Sequence, residues 1–253
     1  MPTDIISSAS RLSRVDRLLG SEAVEALSRA RVIIFGIGGV GSWAAESLVR
    51  SGVGHLTIVD ADTVAASNIN RQLMATTSTV GRPKTEVLAE RLLDINPDLE
   101  LTTRFERYTP QTADTFALDT YDVAIDAIDS LADKAALILH ATSIPSLTFL
   151  SSMGAALKAD PTKISVAEFW KVNGCPLAAA LRRRFKKNGT LPRRKFKCVY
   201  SPELLTNRGE LPDGDGAMTF NKVAINGALC HITAIFGFTL AGLATQAILP
   251  SHR

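Results

Sequence analysis

One stretch near the N-terminus limits the folds open to this chain more than any other. Residues 31–35 are a short apolar run rich in β-branched residues, and the glycine-rich run Gly36-Ile37-Gly38-Gly39-Val40-Gly41 follows at once. A buried parallel strand that leads into a phosphate-binding turn has this pattern. We expect a helix over residues 42–51 and a second buried strand over residues 56–59, ending at Asp60. Together they predict a strand–helix–strand unit of a parallel sheet.

The alternation of strands and helices continues to about residue 150. Apolar spacing predicts helices over residues 84–95 and 131–142, and strands over residues 99–105, 121–126 and 146–150. This order favours an α/β fold, a Rossmann-like, mainly parallel sheet with helices on both faces. We therefore expect a Rossmann-like domain over residues 1–150 and a smaller C-terminal extension over residues 151–253, within one continuous fold.

The C-terminal extension is expected to hold a basic loop and an apolar helix. Residues 186–216 mix basic residues with Gly, Pro, Asn and Asp, which predicts a mobile loop. Residues 223–251 contain no Asp, Glu, Lys or Arg, so a membrane span is considered. Asn226, His231 and Gln246 favour a helix of the core or of a dimer interface instead, because polar groups inside a membrane are costly.

Composition is that of an ordinary soluble enzyme. The 253 residues are 46% hydrophobic, enough for a substantial core. The odd number of cysteines, three, argues against a closed disulfide framework. They form no Cys-x-x-Cys pair, which argues against a structural zinc site with four thiolates. The first ten residues lack the basic and apolar regions of a secretory signal, so a cytoplasmic location is expected.

Positive charge is concentrated in one place, residues 182–197, which we term the basic segment. It carries nine Lys or Arg and no acid, leaving 19 basic against 25 acidic residues elsewhere. Such a segment favours a polyanionic partner such as a nucleic acid, although a solvated loop without a partner stays open. Phe185 and Phe196 lie among the cations and are expected to stack on exposed bases. The candidate phosphate contacts are Arg182, Arg183, Arg184, Lys186, Lys187, Arg193, Arg194, Lys195 and Lys197.

The glycine-rich run alone is most often that of a nicotinamide or flavin dinucleotide site, with Asp60 placed to bind a ribose. Polar residues farther along favour ATP. Arg71 and Lys84 are candidate catalytic cations that neutralise a triphosphate and the departing pyrophosphate, and Asp129 is a candidate magnesium ligand. The alternatives are a surface ion pair for Arg71 and a helix N-cap for Asp129.

Five motifs carry a resemblance to a known superfamily. They are Gly-x-Gly-Gly-x-Gly, Asp-x-Asp-x-Val, Ser-Asn-x-x-Arg, Gly-x-x-Lys and Asp-x-x-Asp, beginning at residues 36, 60, 67, 81 and 126. The chain thereby resembles the ubiquitin-activating-type superfamily, whose members use ATP to adenylate a carboxylate. The resemblance implies a homodimer in which Arg14 reaches the partner's nucleotide site. It implies ATP and Mg²⁺ contacts from Gly36, Gly38, Gly39, Gly41, Asp60, Asp62, Asn68, Arg71, Lys84, Asp129 and Ser130.

Within that superfamily the missing cysteine pairs and the basic segment favour one branch. The chain resembles the tRNA threonylcarbamoyladenosine dehydratases, which implies ATP-dependent cyclisation of that nucleoside at tRNA position 37. Residues 221–227 lack the cysteine of the family pattern, and Cys198 is interpreted as a structural thiol. Two alternatives stay open: an adenylating enzyme for a ubiquitin-like or sulfur-carrier protein, and a nucleotide- and RNA-binding scaffold without turnover. A monovalent cation is a further candidate cofactor, and a sulfur-transfer protein is a further candidate partner.

Overall fold

A computed structural model describes residues 8–209 and 226–249 of the chain, and side chains from Ser10 onward. In these residues seven strands form one sheet. The strands are β1 (Arg31–Phe35), β2 (His55–Val59), β3 (Glu100–Arg104), β4 (Val123–Asp126), β5 (Thr148–Ser152), β6 (Ser165–Glu168) and β7 (Lys197–Tyr200). The strands expected from the sequence are present, and their boundaries agree within two residues.

Eight α-helices accompany the sheet in the described part of the chain. They are α1 (Ser8–Arg11), α2 (Ser13–Leu19), α3 (Ser21–Arg29), α4 (Gly41–Arg50), α5 (Lys84–Ile95), α6 (Leu131–Ser143), α7 (Pro176–Asn188) and α8 (Cys230–Ile248). Short 3₁₀ helices span Ala66–Asn68, Ala113–Phe116, Leu118–Thr120, Pro161–Lys163 and Phe169–Lys171. The α/β class predicted from the sequence is confirmed.

The strand order of the sheet is β3-β2-β1-β4-β5-β7-β6. All neighbours are parallel except β6 and β7, which run antiparallel. The order reverses between β1 and β4, because the chain first builds outward through β2 and β3 and then returns to add β4. Such a reversal leaves a crevice at the carboxyl ends of the strands where ligands of these folds bind. Strands from both sides of residue 150 belong to this one sheet.

Helices cover both faces of the sheet, as the sequence predicted. Side chains alternate across a strand, so Val32 and Ile34 of β1 enter one apolar cluster, and Ile33 and Phe35 enter the other. The first cluster includes residues of α4, α5 and α8, and the second includes residues of α6 and α7. Burial on both faces explains why β1 reads as a continuous apolar run.

The prediction of a loop over residues 186–216 is wrong for residues 186–188, which belong to α7, and for residues 197–200, which form β7. Leu181 and Phe185, four residues apart on one helix face, are buried in the core and extend α7 to Asn188. Gly189, with φ of +64°, ends that helix. Lys197 then begins β7, which pairs with β5 and with β6. Residues 210–216 lie outside the described residues.

The apolar helix expected near the C-terminus is α8. Among the helices of the described residues, α8 alone is long and apolar enough to cross a membrane. Core helices of soluble proteins can have the same length and composition. Here α8 packs against α4, and a Cβ added to Gly237 would lie 2.5 Å from the carbonyl oxygen of Val40. Because only glycine permits this approach, the two helix backbones lie in close contact.

Candidate functional site

The strand reversal brings the predicted site residues to one edge of the sheet. Phe35 of β1 lies in register with Val59 of β2 and with Asp126 of β4. The segments that leave these strands therefore start side by side: the glycine-rich run after β1, Asp60 after β2, and residues 127–130 after β4. This is the crevice described above.

Two glycines make the turn between β1 and α4 geometrically possible. Gly36 has φ of +80°, and a Cβ at this position would lie 2.8 Å from the carbonyl oxygen of Ala127. A Cβ on Gly41 would lie 1.9 Å from the carbonyl oxygen of Gly36. Such distances exclude any side chain. The turn is thus folded tightly on itself and against the segment after β4, with the N-terminus of α4 facing the crevice.

The middle of the turn faces residues from two distant parts of the chain. A Cβ on Gly39 would lie 3.3 Å from Thr233 of α8 and 3.4 Å from Cγ of Arg71, so the Arg71 side chain lies against the turn. Gly38 faces the side-chain amide of Gln72, which is buried. The Gln72 Oε1 atom finds no hydrogen-bond partner among the described residues.

Asp60 links the end of β2 to the glycine-rich turn. Its carboxylate accepts hydrogen bonds from the backbone N–H of Ile37 at 2.8 Å and of Asp62 at 2.9 Å. Burial raises the pKa of Asp60, while the Lys84 ammonium 4.0 Å away and the two N–H donors favour the charged form. Asp60 therefore ties the start of the glycine-rich turn to the end of β2.

Lys84 is the first residue of α5 and is held against the same edge. Its Nζ donates to Asp62 Oδ2 at 2.8 Å, and its side chain is only 6% exposed, whereas the side chain of Asp62 is 70% exposed. Bridge pairing between Thr63 and Pro83 fixes the two segments relative to each other. The ammonium is thereby oriented beside Asp60 and Asp62.

Asn68 and Arg71 belong to the polar segment that follows. Asn68 is buried, and its Oδ1 accepts the backbone N–H of Ala65 at 3.1 Å. Arg71 donates to the carbonyl oxygen of Ser67 at 2.8 Å, and its own carbonyl oxygen accepts the indole N–H of Trp43 at 3.1 Å. These bonds attach the segment to α4 and hold the Arg71 backbone near the turn.

Asp129 and Ser130 lie on the segment between β4 and α6. Asp129 is exposed, and Ser130 occupies the N-cap position of α6, so the alternative interpretation of Asp129 as the N-cap is wrong. Ser130 Oγ accepts a hydrogen bond from the Arg107 guanidinium at 3.3 Å. Arg107 also pairs with Asp133 at 2.6 Å, which connects the segment after β3 to the start of α6.

A buried ion pair beneath this segment escaped the sequence analysis. Lys134 Nζ lies 2.7 Å from Asp126 Oδ2, and both side chains are fully buried. A signal was present, since Lys134 shares a helix face with Leu137, Ile138 and Ala141, all of them buried. A lysine in an apolar row predicts a buried acidic partner.

The basic segment is divided by the fold. Arg182 donates to the carbonyl oxygens of Phe169 and Val172 at 3.1 and 2.8 Å. Arg194 caps the C-terminal end of α6. Its guanidinium donates to the carbonyl oxygens of Ala141, Thr142, Ile144, Pro145 and Leu147. Both guanidinium groups therefore have structural roles. The other seven cations of the segment are exposed: Arg183, Arg184, Lys186, Lys187, Arg193, Lys195 and Lys197.

Three further predictions concern single side chains. The expectation that Phe185 and Phe196 stack on bases is wrong, because both rings are buried in the core. Cys198 is buried in β7, and burial raises the pKa of its thiol, which fits a structural role rather than a nucleophile. Arg14 is exposed on α2.

Among residues 8–209 and 226–249, no group of three or more His, Cys, Asp or Glu is placed to hold a metal ion.

Comparison with known proteins places this site in a family. The sequence model of the ThiF family matches residues 10–251, and the chain therefore belongs to the ThiF family. It is 37% identical over 257 residues to the tRNA threonylcarbamoyladenosine dehydratase of Escherichia coli (strain K12), covering 94% of this chain and 93% of that protein.

Solved structures of the E. coli tRNA N6-threonylcarbamoyladenosine dehydratase share the fold. Its complex with AMP superposes with a TM-score of 0.84 at 36% identity and covers 96% of both chains. Its complex with ATP gives a TM-score of 0.81 over the same shares. The structural similarity therefore extends over nearly the whole of both chains.

The glycine-rich turn leads to a direct prediction for Gly36→Ala. The added Cβ would meet Ala127, displacing the turn, so we expect the Kd for ATP to rise at least about tenfold, measured by titration calorimetry. Gly20→Ala is the matched control, because Gly20 has a similar φ of +84° and nothing within 4 Å of its Cβ position. It should lose stability from backbone strain while the Kd stays within about twofold. Equal ATP affinity in Gly36→Ala and the wild type would contradict this assignment of the turn.

Proposed function

We propose that this chain uses ATP to adenylate the threonyl carboxylate of threonylcarbamoyladenosine at tRNA position 37, and that the activated group closes into a ring with net loss of water. The observation that carries the proposal is the convergence of a glycine-rich turn, Arg71, Lys84 and Asp129 at one edge of the sheet. Similarity to the E. coli dehydratase over nearly the whole chain supports the choice of substrate.

In the first step, a carboxylate oxygen attacks the α-phosphorus of ATP and pyrophosphate leaves. The residues fit a triphosphate, because glycine permits its approach to the turn and the N-terminus of α4 offers N–H groups to its oxygens. Arg71 and Lys84 supply positive charge for the departing pyrophosphate. Lys84 is already oriented by Asp62, so its ammonium requires little rearrangement.

Asp129 is the residue we assign to Mg²⁺. It is an exposed carboxylate at the carboxyl end of a parallel strand, and magnesium prefers a few carboxylate ligands together with phosphate oxygens and water. When bound there, the metal neutralises phosphate charge. Asp60 has a different role in the proposal and binds the ribose through a carboxylate already fixed by Ile37 N–H. A monovalent cation is a further candidate ligand.

In the second step, a nucleophilic atom of the same substrate attacks the acyl carbon and AMP leaves. The former carboxylate oxygen departs with AMP and the nucleophilic atom gives up its proton, so the nucleoside loses the elements of water. No enzyme thiol is needed, in agreement with the burial of Cys198. Because the nucleophile and the acyl carbon belong to one molecule, positioning supplies much of the rate.

The proposed tRNA-binding surface consists of the exposed cations of the basic segment. Arg183, Arg184, Lys186 and Lys187 lie on α7, and the other exposed cations precede or begin β7. Phosphate contacts of this kind give affinity that falls steeply with salt. Arg182 and Arg194 are left out of this surface, since their donors are bonded to carbonyl oxygens.

We also propose a homodimer in which Arg14 enters the nucleotide site of a second copy. Arg14 is exposed on α2, and Phe238 of α8 is 47% exposed beside Trp43, with ring centroids 5.8 Å apart. These two helices are the surfaces that we assign to the dimer. A sulfur-transfer protein is a further candidate partner.

The reaction is tested with purified protein, ATP, Mg²⁺ and tRNA carrying threonylcarbamoyladenosine. The wild type should release AMP and pyrophosphate and give a nucleoside lighter by one water, detected by mass spectrometry. Asp129→Asn keeps the side-chain size but should lower kcat about 100-fold or more, because the metal loses a charged ligand. Asp119→Asn, an exposed acid of the Leu118–Thr120 turn, is the control and should retain wild-type kcat.

Two outcomes would overturn the proposed reaction. An unchanged nucleoside mass with active, folded protein would exclude the dehydration. Pyrophosphate exchange that requires a protein ending in Gly-Gly and ignores tRNA would instead support the sulfur-carrier alternative.

The tRNA surface is tested with the double variant Arg183→Ala and Lys187→Ala. We expect weaker tRNA binding and a plot of log affinity against log salt that is shallower by about 1–2, with unchanged ATP affinity. The control, Arg29→Ala with Lys163→Ala, removes the same charge from exposed ion pairs elsewhere. If the two double variants show the same loss of tRNA affinity and the same change in salt dependence, the net charge of the protein rather than this surface determines tRNA binding.

A further inference from the structure

The Asp126–Lys134 ion pair has a place in the fold that invites a functional explanation. Asp126 is the last residue of β4, and Lys134 lies in the first turns of α6. The segment between them carries Asp129 and Ser130. The pair therefore joins the two ends of the segment that holds the proposed magnesium ligand.

Both ions bond to the backbone of one residue within that segment. Asp126 Oδ1 accepts the N–H of Ile128 at 3.0 Å, and Lys134 Nζ donates to the carbonyl oxygen of Ile128, also at 3.0 Å. Ser151 Oγ completes the arrangement by donating to Asp126 Oδ2 at 2.7 Å. The N–H and the carbonyl oxygen of Ile128 are thus both fixed by the ion pair.

The neighbouring residue is fixed by the glycine-rich turn. Ala127 donates its N–H to the carbonyl oxygen of Phe35 at 2.8 Å, and its own carbonyl oxygen packs against Gly36. Two consecutive residues before Asp129 are therefore held, one by the turn that approaches the nucleotide and one by the ion pair. The backbone that presents Asp129 has little freedom relative to the glycine-rich turn.

Stability alone does not account for such a pair. Desolvation of two buried ions offsets much of their attraction, and apolar residues of similar volume often serve stability as well or better. What apolar residues do not provide is a pair of directed hydrogen bonds to Ile128. The specific contribution of the ion pair is therefore the geometry of residues 127–130.

We infer that Asp126 and Lys134 are positioning residues, which hold residues 127–130 so that Asp129 and Ser130 meet the nucleotide bound at the glycine-rich turn. Neither side chain reaches the nucleotide in this assignment. The inference rests on the proposed ATP site, and it adds the residues that set the geometry of that site.

The test replaces both ions together, as Asp126→Asn with Lys134→Met, so that no lone charge stays buried. Three quantities are measured on the full-length protein: the free energy of unfolding, amide hydrogen exchange of residues 127–130 with and without ATP and Mg²⁺, and kcat with the tRNA substrate. The wild type should show slow exchange at Ile128 and added protection when ATP binds. The double variant should exchange faster there and lose the ATP-induced protection. Its kcat should fall at least about tenfold, since small displacements of reacting groups have effects of this size.

The matched control removes a different ion pair that also bridges elements. Glu46 of α4 is buried and accepts from Arg91 of α5 at 2.5 Å. Glu46→Gln with Arg91→Met should lower stability while leaving kcat and the exchange of residues 127–130 unchanged. This control separates loss of position from loss of stability.

The outcomes are distinct from those that decide the proposed function. A wild type without AMP release would defeat the proposed reaction, yet the exchange measurement would still report on the segment. The positioning role would be overturned if ATP protected residues 127–130 of the Asp126/Lys134 double variant as much as those of the wild type. It would also be overturned if the double variant lost stability but kept the wild-type kcat. If the double variant does not fold, Asp126→Asn with Lys134→Gln is measured in the same way, because both new side chains are neutral and polar, and Gln is shorter than Lys and weakens the bond to Ile128.

Discussion

The hydrogen bond from Ala127 N–H to the Phe35 carbonyl oxygen, at 2.8 Å, is the contact on which the rest of this site depends. It extends the parallel pairing of β1 and β4 by one step beyond the strands. The segment after β4 is thereby set directly against Gly36, where no side chain is tolerated. A turn for phosphates and a segment bearing Asp129 are joined at the position where the strand order reverses.

Charge around this contact is arranged in two layers. The deeper layer is the ion pair of Asp126 and Lys134, which bonds to the backbone and is closed to solvent. The outer layer contains Lys84, oriented by Asp62, and Arg71 beside Gly39. In the proposed reaction the deeper layer holds the backbone in place, and the outer layer supplies the positive charge for the triphosphate. Rigid geometry and phosphate-neutralising cations would then lie at the same edge of the sheet.

Local patterns were sufficient to predict β1, the turn and α4, because a continuous apolar run and closely spaced glycines depend only on neighbouring residues. Asp60 follows β2 and Lys84 begins α5, so the predicted strand and helix boundaries already bring these two residues toward one edge. Arg71 lies in the irregular segment after the Ala66–Asn68 3₁₀ helix, and only its motif pointed to it. Contacts across the fold were not predictable. The Arg194 guanidinium bonds to carbonyl oxygens some fifty residues away in the chain, so its sequence neighbours suggested a phosphate ligand. For the same reason the sequence did not reveal that the basic segment is divided between α7 and β7.

Whether the carboxylate is activated by adenylation is decided by following its oxygen atoms with oxygen-18. The substrate tRNA is labelled with oxygen-18 in the threonyl carboxylate and incubated with the protein, ATP and Mg²⁺. Attack of the carboxylate on the α-phosphorus transfers one labelled oxygen, so we expect oxygen-18 in the AMP that is released. Label in inorganic phosphate, together with formation of ADP, would contradict it, because the carboxylate would then have been activated by phosphorylation.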